Sequence, residues 1–308
     1  MTKTSLITIA SLAGIVLGFA TCTLIRKTTK RPEGEVEKVA YADKILLHQH
    51  PEKVLNYLPN LKDEQIAYLY GMPVHEYKSV KIEYEEQAKK AAIELLKSPL
   101  FAQKVAKLPF KKGETVLVLG ESTADALNSW VVILKYLLEI KRPQDKIRIM
   151  NAAISGQTTT EALRRITTQV KQSPEWVLSH LGANDCMRYG SEKNKPTVSL
   201  PETISNLETI RKIVADETKA QFIWLAPAPV NEEKIASFPP FKSLKMYLKN
   251  VDLLKVGDGL RSQQDMVIDM RKDFGVPAKG EYVQFDGGHL SIEGQTVIVK
   301  AILNNLSK

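Results

Sequence analysis

A chain of 308 residues is long enough for one sizeable buried core with an appendage. Its apolar share of 44% and charged share of 25% are those of an ordinary globular protein, and no internal repeat or low-complexity segment interrupts it. The net charge of +8 does not describe a nucleic-acid surface: Lys3, Arg26, Lys27, Lys30 and Arg31 all precede the first acid, Glu33, and no basic stripe with interleaved aromatics follows.

Residues 5–25 carry no charge and are mostly Ile, Leu, Val, Ala and Phe. A helix of that length crosses a hydrocarbon core of ~30 Å, and the basic cluster behind it suits a membrane-proximal flank. The expectation is an uncleaved transmembrane anchor within residues 1–32. Two other readings stay open: a cleaved signal peptide, since Gly18-Phe19-Ala20 resembles a small-x-small cleavage site, and a lipoprotein through Cys22, which lacks a proper lipobox before it. The flanking bases favour a cytoplasmic body by the positive-inside rule, whereas use as a signal anchor places it outside; the extracytoplasmic placement is the working expectation. With Cys22 in the span and Cys186 in the body, no internal disulfide is expected.

Residues 33–110 read as a helical extension without a strand. Its clearest helix covers about 81–97, where Tyr84, Ala88, Ala91 or Ala92, and Leu95 recur at helical spacing and Ser98-Pro99 ends the run. His48, His50 and His75 lack a ligand-spaced partner set, so solvated or capping histidines are expected rather than a metal site.

From Lys111 the pattern alternates. Residues 115–119 form a short apolar strand, and Leu127, Trp130, Val131, Leu134 and Leu138 mark a helix that stops before Pro143. Residues 147–150 are a strand, and Leu163, Ile166 and Val170 line the next helix. Residues 176–181 are a strand, Pro201 begins a helix bearing Ile204, Leu207, Ile210 and Val214, and 221–225 is a fourth strand. Helices near 260–274 and 292–306 close the chain. Strands alternating with helices indicate a parallel sheet covered on both faces.

Four segments at element boundaries carry candidate chemistry: Gly120-Glu121-Ser122 after the first strand, Asn151 to Gly156 after the second, Gly182-Ala183-Asn184-Asp185 after the third, and Asp286-Gly287-Gly288-His289 near the end. Each has a structural explanation of its own. Ser122 to Asp125 and Thr158 to Glu161 both fit capping boxes, Asn184 suits a turn, and His289 suits a satisfied buried imidazole. Together they supply what acyl transfer needs: Ser122 as nucleophile, His289 as base, Asp286 three residues earlier to orient it, and the N–H groups of Ser122 and Gly156 with the Asn184 amide as oxyanion donors. A dinucleotide site lacks its glycines and a phosphate loop its Gly-Lys-Ser/Thr. A zinc site lacks ligands, because only His180 and His289 lie in this region and His180 sits in an apolar strand as a core residue; no metal or cofactor is expected.

In this order, the four segments resemble the motifs of the SGNH (GDSL-like) hydrolase superfamily, over about two-thirds of the chain from Lys111 onward. The resemblance implies an α/β fold, a flavodoxin-like doubly wound parallel sheet, over 111–308. It also implies a Ser122–His289–Asp286 triad with an oxyanion hole of Ser122, Gly156 and Asn184. Glu121 departs from the family, which usually has Asp there. The reading is a membrane-tethered serine esterase acting on an acylated sugar or lipid, with the membrane as a further partner and no nucleic acid. An acyltransferase using the same site and a non-catalytic binding domain are the alternatives.

Overall fold

The computed structural model describes residues 45–55, 57–58, 61–191 and 193–307. The expected membrane segment and its basic flank lie outside these residues; among the described residues no helix is long and apolar enough to cross a membrane. The chain divides into two units, Met1–Tyr84 and Glu85–Lys308.

In the first unit, α1 (Pro51–Val54) and α2 (Asp63–Leu69) are short, and α3 (Val74–Leu96) is the long helix whose course runs past the division. Its start, Val74, lies seven residues before the expected start near Lys81. Tyr70 and Tyr77 stack with ring centroids 5.8 Å apart, and both are buried. Of the three histidines expected to be solvated or capping, His75 is exposed. His50 takes the N-cap position of α1 without a side-chain capping bond. His48 and His50 are both buried, so solvation describes only His75.

The second unit is built on five parallel strands in the order β2-β1-β3-β4-β5. They are β1 (Thr115–Gly120), β2 (Arg148–Asn151), β3 (Trp176–His180), β4 (Gln221–Leu225) and β5 (Met266–Ile268). This is the flavodoxin strand order, whose switch point lies between β1 and β3. All six residues of β1 are buried, as a strand covered on both faces requires.

Successive side chains of β1 point to opposite faces, and each face has its own apolar cluster. Val116 and Val118 pack with α6 (Trp130–Lys141) and α13 (Ile292–Leu306). Ala88, Ala92 and Leu95 of α3 join the same cluster, together with Val105 of α4 (Pro99–Ala106). Leu117 and Leu119 pack with α7 (Thr159–Val170), α8 (Leu200–Glu217) and α11 (Asn250–Arg261). The core thus recruits residues upstream of Lys111.

Between β1 and α6 lies the short α5 (Ser122–Asp125). After β4 come α9 (Glu232–Ser237) and α10 (Pro239–Ser243), and after β5 comes α12 (Arg271–Phe274). The single helix expected near 260–274 is corrected: that stretch holds the end of α11, the strand β5 and α12. Three apolar residues, Met266 to Ile268, pair with β4 from Ile223 to Leu225, so a partner strand overrides the local helical pattern.

Candidate active site

The carboxyl ends of β1 and β3 lie side by side, with Gly120 opposite His180 in the ladder. Glu121 continues β1 in an extended conformation and is the N-cap residue of α5, its carbonyl accepting from Ala124 and Asp125 at 3.0 and 2.8 Å. The capping box expected from Ser122 is therefore not formed. Ser122 is the first residue of the helix, its hydroxyl is not a cap, and the residue is partly exposed. The Thr158–Glu161 capping box is formed.

Glu121 spends its side chain elsewhere. Its carboxylate accepts the backbone N–H groups of Gly182 at 2.6 Å, Ala183 at 3.0 Å and Asn184 at 3.2 Å. Burial, followed by the neighbouring Asp185 carboxylate, pushes its pKa up to about 8, against the three donors that favour the anion. Asp185 is itself buried and accepts from Thr159 N at 2.9 Å, from Thr159 Oγ1 and from Thr203 Oγ1 at 3.1 Å. Burial raises its pKa while these bonds oppose the rise.

The Asn184 amide donates one N–H to the Gln157 carbonyl at 2.9 Å, which leaves its second N–H for another acceptor. Gln157 in turn donates through Nε2 to the Gly120 carbonyl at 2.5 Å and accepts from Arg165 at 2.8 Å. Ser155 N donates to Asp125 at 2.8 Å, so the 154–157 turn is tied to α5. Gly156 lies in that turn with φ 81°, exposed, and a Cβ there would meet nothing within 4 Å.

Near the end of the chain, Asp286 folds back on His289 within one turn. Its Oδ1 accepts the N–H groups of Gly288 and His289, both at 2.9 Å, and its Oδ2 lies 2.7 Å from His289 Nδ1. Asp286 is fully buried. With Nδ1–H directed at that carboxylate, a neutral ring presents Nε2 as the acceptor. Gly287 makes the turn possible: its φ is 74°, and a Cβ would stand 2.5 Å from the Asn231 carbonyl oxygen.

Ser122, Asn184 and His289 all line one cavity of about 50 Å³. Gly156 does not; it stands one residue from Gln157, the acceptor of the Asn184 amide. His180 is buried, as expected of a core residue, yet it also lines this cavity, and burial lowers its pKa to about 4 so that the ring is neutral. Among the described residues no group of three His, Cys, Asp or Glu side chains is placed to hold a metal ion.

Sequence reasoning missed three supports. Gln157 holds the Gly120 carbonyl, and Arg165 holds Gln157 by donating to its Oε1. Glu121 reads in the sequence only as a departure from the usual Asp, with nothing to show its grip on residues 182–184. Gln295 on α13 donates to the Thr123 carbonyl at 3.0 Å and accepts from Trp130 N at 2.9 Å, tying the last helix to the turn that bears Ser122. A polar Gln295 amid the apolar face of α13 signals a buried polar contact without naming its partner.

A hydroxyl, an imidazole oriented by a buried carboxylate and an amide donor, gathered at the carboxyl edge of a flavodoxin-like sheet, define a protein of the α/β hydrolytic class. The family model of the GDSL-like lipases/acylhydrolases matches residues 116–302, and the chain belongs to that family. Thioesterase 1/protease 1/lysophospholipase L1 of Escherichia coli (strain K12) is 36% identical over 81 residues, 24% of this chain and 36% of that relative. The chain thus spans about a third of the length of the curated relative it matches. The acetylxylan esterase Axe2 from Geobacillus stearothermophilus shares the fold with a TM-score of 0.52 at 19% identity, over 65% of this chain and 97% of that one. A lipase/acylhydrolase from Enterococcus faecalis superposes with a TM-score of 0.48 at 22% identity, over 63% of this chain and 95% of the other.

Proposed function

We propose that this chain is a membrane-tethered serine esterase that hydrolyses carboxylic esters through an acyl-enzyme on Ser122. The observation that carries the reading is the 2.7 Å contact of His289 Nδ1 with buried Asp286, on a cavity that Ser122 and Asn184 also line. Ser122 Oγ attacks the ester carbonyl carbon while His289 Nε2 takes its proton. The oxyanion is held by the N–H groups of Ser122 and Gly156 and by the free N–H of Asn184. The ester C–O bond breaks, and His289 returns the proton to the departing alcohol. A water then attacks the acyl carbon, giving its proton to His289; the acyl–Ser122 bond breaks, the proton passes to Ser122 Oγ, and the acid leaves.

The substrate class is an acylated sugar or a lipid ester. An acetylxylan esterase among the structural neighbours and a thioesterase/lysophospholipase among the relatives support that range. Tethering rests on the uncharged residues 5–25 and their basic flank, with the catalytic body on the extracytoplasmic side.

Ser122→Ala tests the reading. Ester turnover should fall by ~10⁴–10⁶, and covalent labelling by a fluorophosphonate should vanish, with unchanged circular dichroism. Wild-type turnover in this variant refutes the assignment.

A further inference from the structure

We infer that the cavity beside Ser122 selects a short acyl group, of about two or three carbons, and that Ile235 and Phe241 at the α9–α10 corner set the limit. The inference rests on the esterase reading and adds the acyl class. An apolar cavity of about 150 Å³ takes a six-carbon ring, so the volume of about 50 Å³ here takes about two heavy atoms by proportion, the alkyl part of a two- or three-carbon acyl group whose carbonyl lies at Ser122.

The walls are apolar and packed. Leu181, Val230, Ile235, Met246 and Leu248 line the cavity and are all buried, and Phe241 is half-buried beside them. A Cβ placed on Gly288 would lie 4.0 Å from both Ile235 Cδ1 and Phe241 Cε2, so these two side chains stand over the residue that precedes His289.

The corner is fixed in place. The rings of Phe241 and Phe238 meet edge to face at 4.8 Å, and Phe238 meets Phe285 at 5.3 Å, which links α10 to the turn bearing Asp286. Asn231 caps α9 by accepting from Lys234 N at 3.0 Å, and its own N–H donates to the Gly287 carbonyl at 2.9 Å. The wall and the His289 turn are therefore one packed unit. A longer acyl chain directed into this wall has to displace close-packed side chains, which is costly.

The test is a series of p-nitrophenyl esters from acetate to octanoate, with kcat/KM measured on the full chain. Acetate and propionate should be the best substrates, with hexanoate at least about tenfold poorer, the scale of discrimination a close-fitting apolar pocket achieves. Phe241→Ala and Ile235→Ala should each raise hexanoate relative to acetate by about tenfold. Phe241→Leu and Ile235→Val, gentler on folding, should shift the profile the same way by less. A Ser122-dependent activity that is flat from acetate to octanoate, or that peaks at octanoate, overturns the inference and leaves the esterase reading standing. Folded variants that keep the wild-type profile overturn the assignment of the limit to Ile235 and Phe241. Turnover that survives Ser122→Ala sinks the esterase reading, and the inference with it.

Discussion

Glu121 stands one residue before the hydroxyl of Ser122 and grips the backbone that carries Asn184. Replacing it by Gln exchanges one acceptor oxygen for an NH₂ group that faces a backbone donor, and a bond to a charged acceptor contributes about 1.5–3 kcal/mol. With a pKa of about 8, the carboxylate is ionised at pH 9, and there Glu121→Gln should lower kcat by roughly 10–100-fold with KM little changed. At pH 6.5 the native side chain is protonated and resembles Gln, so the gap should narrow to a few-fold; an equal gap at both pH values argues against this role. His180 gives a second pH signature, in stability. Its folded pKa of about 4 lies below the unfolded 6.5, so its contribution is full above pH 6.5 and is lost as pH falls toward 4, by up to about 3 kcal/mol. Glu121 acts oppositely: a raised pKa makes its contribution fall as pH rises from 4.5 to 8. The measurement is therefore the difference in urea midpoint between His180→Phe and wild type. It should move in favour of Phe as pH drops from 7.5 to 4.5, and a constant difference disproves the buried neutral ring.

At the scale of elements, the loop from β4 to α9 is pinned by one residue of α11. Asn250 accepts from Val230 N at 2.8 Å and donates to the Val230 carbonyl and to Glu232 Oε1, both at 3.0 Å. Asn250→Ala leaves the Val230 N–H unpaired, while the Val230 carbonyl keeps the Ala278 N–H at 3.0 Å, and should destabilise by about 1–3 kcal/mol in urea unfolding; a loss below about half a kcal/mol would show that the loop holds itself. Nothing in the sequence marks that role, because Asn250 lies in a stretch where no element was expected. Strands β1 to β4 were legible because each is a run of four to six residues closed by a polar or Gly boundary. Strand β5 was not: three apolar residues carry no period of their own, and only the edge of β4 makes them a strand. The four motif segments were legible as chemistry, since each lies within a few residues of an element end. What held them was less so. Gln295 reaches Thr123 across 172 residues of sequence, a distance over which no local pattern speaks.

For the whole molecule, the expected anchor and the candidate site are separate parts of one chain. None of the four motif segments precedes Gly120, so deleting residues 1–32 should release a soluble protein with wild-type kcat/KM. The intact chain should remain with membranes through a high-salt wash, which removes proteins held by basic patches alone. Full-length expression that instead yields a secreted product beginning at Thr21 would identify the segment as a cleaved signal. The grip of Glu121 has a consequence for transplantation. The carboxylate and the 182–184 loop are 61 residues apart in sequence yet meet through three hydrogen bonds. Either segment moved alone into another protein leaves these three bonds behind, so the acceptor and its donors travel together or not at all.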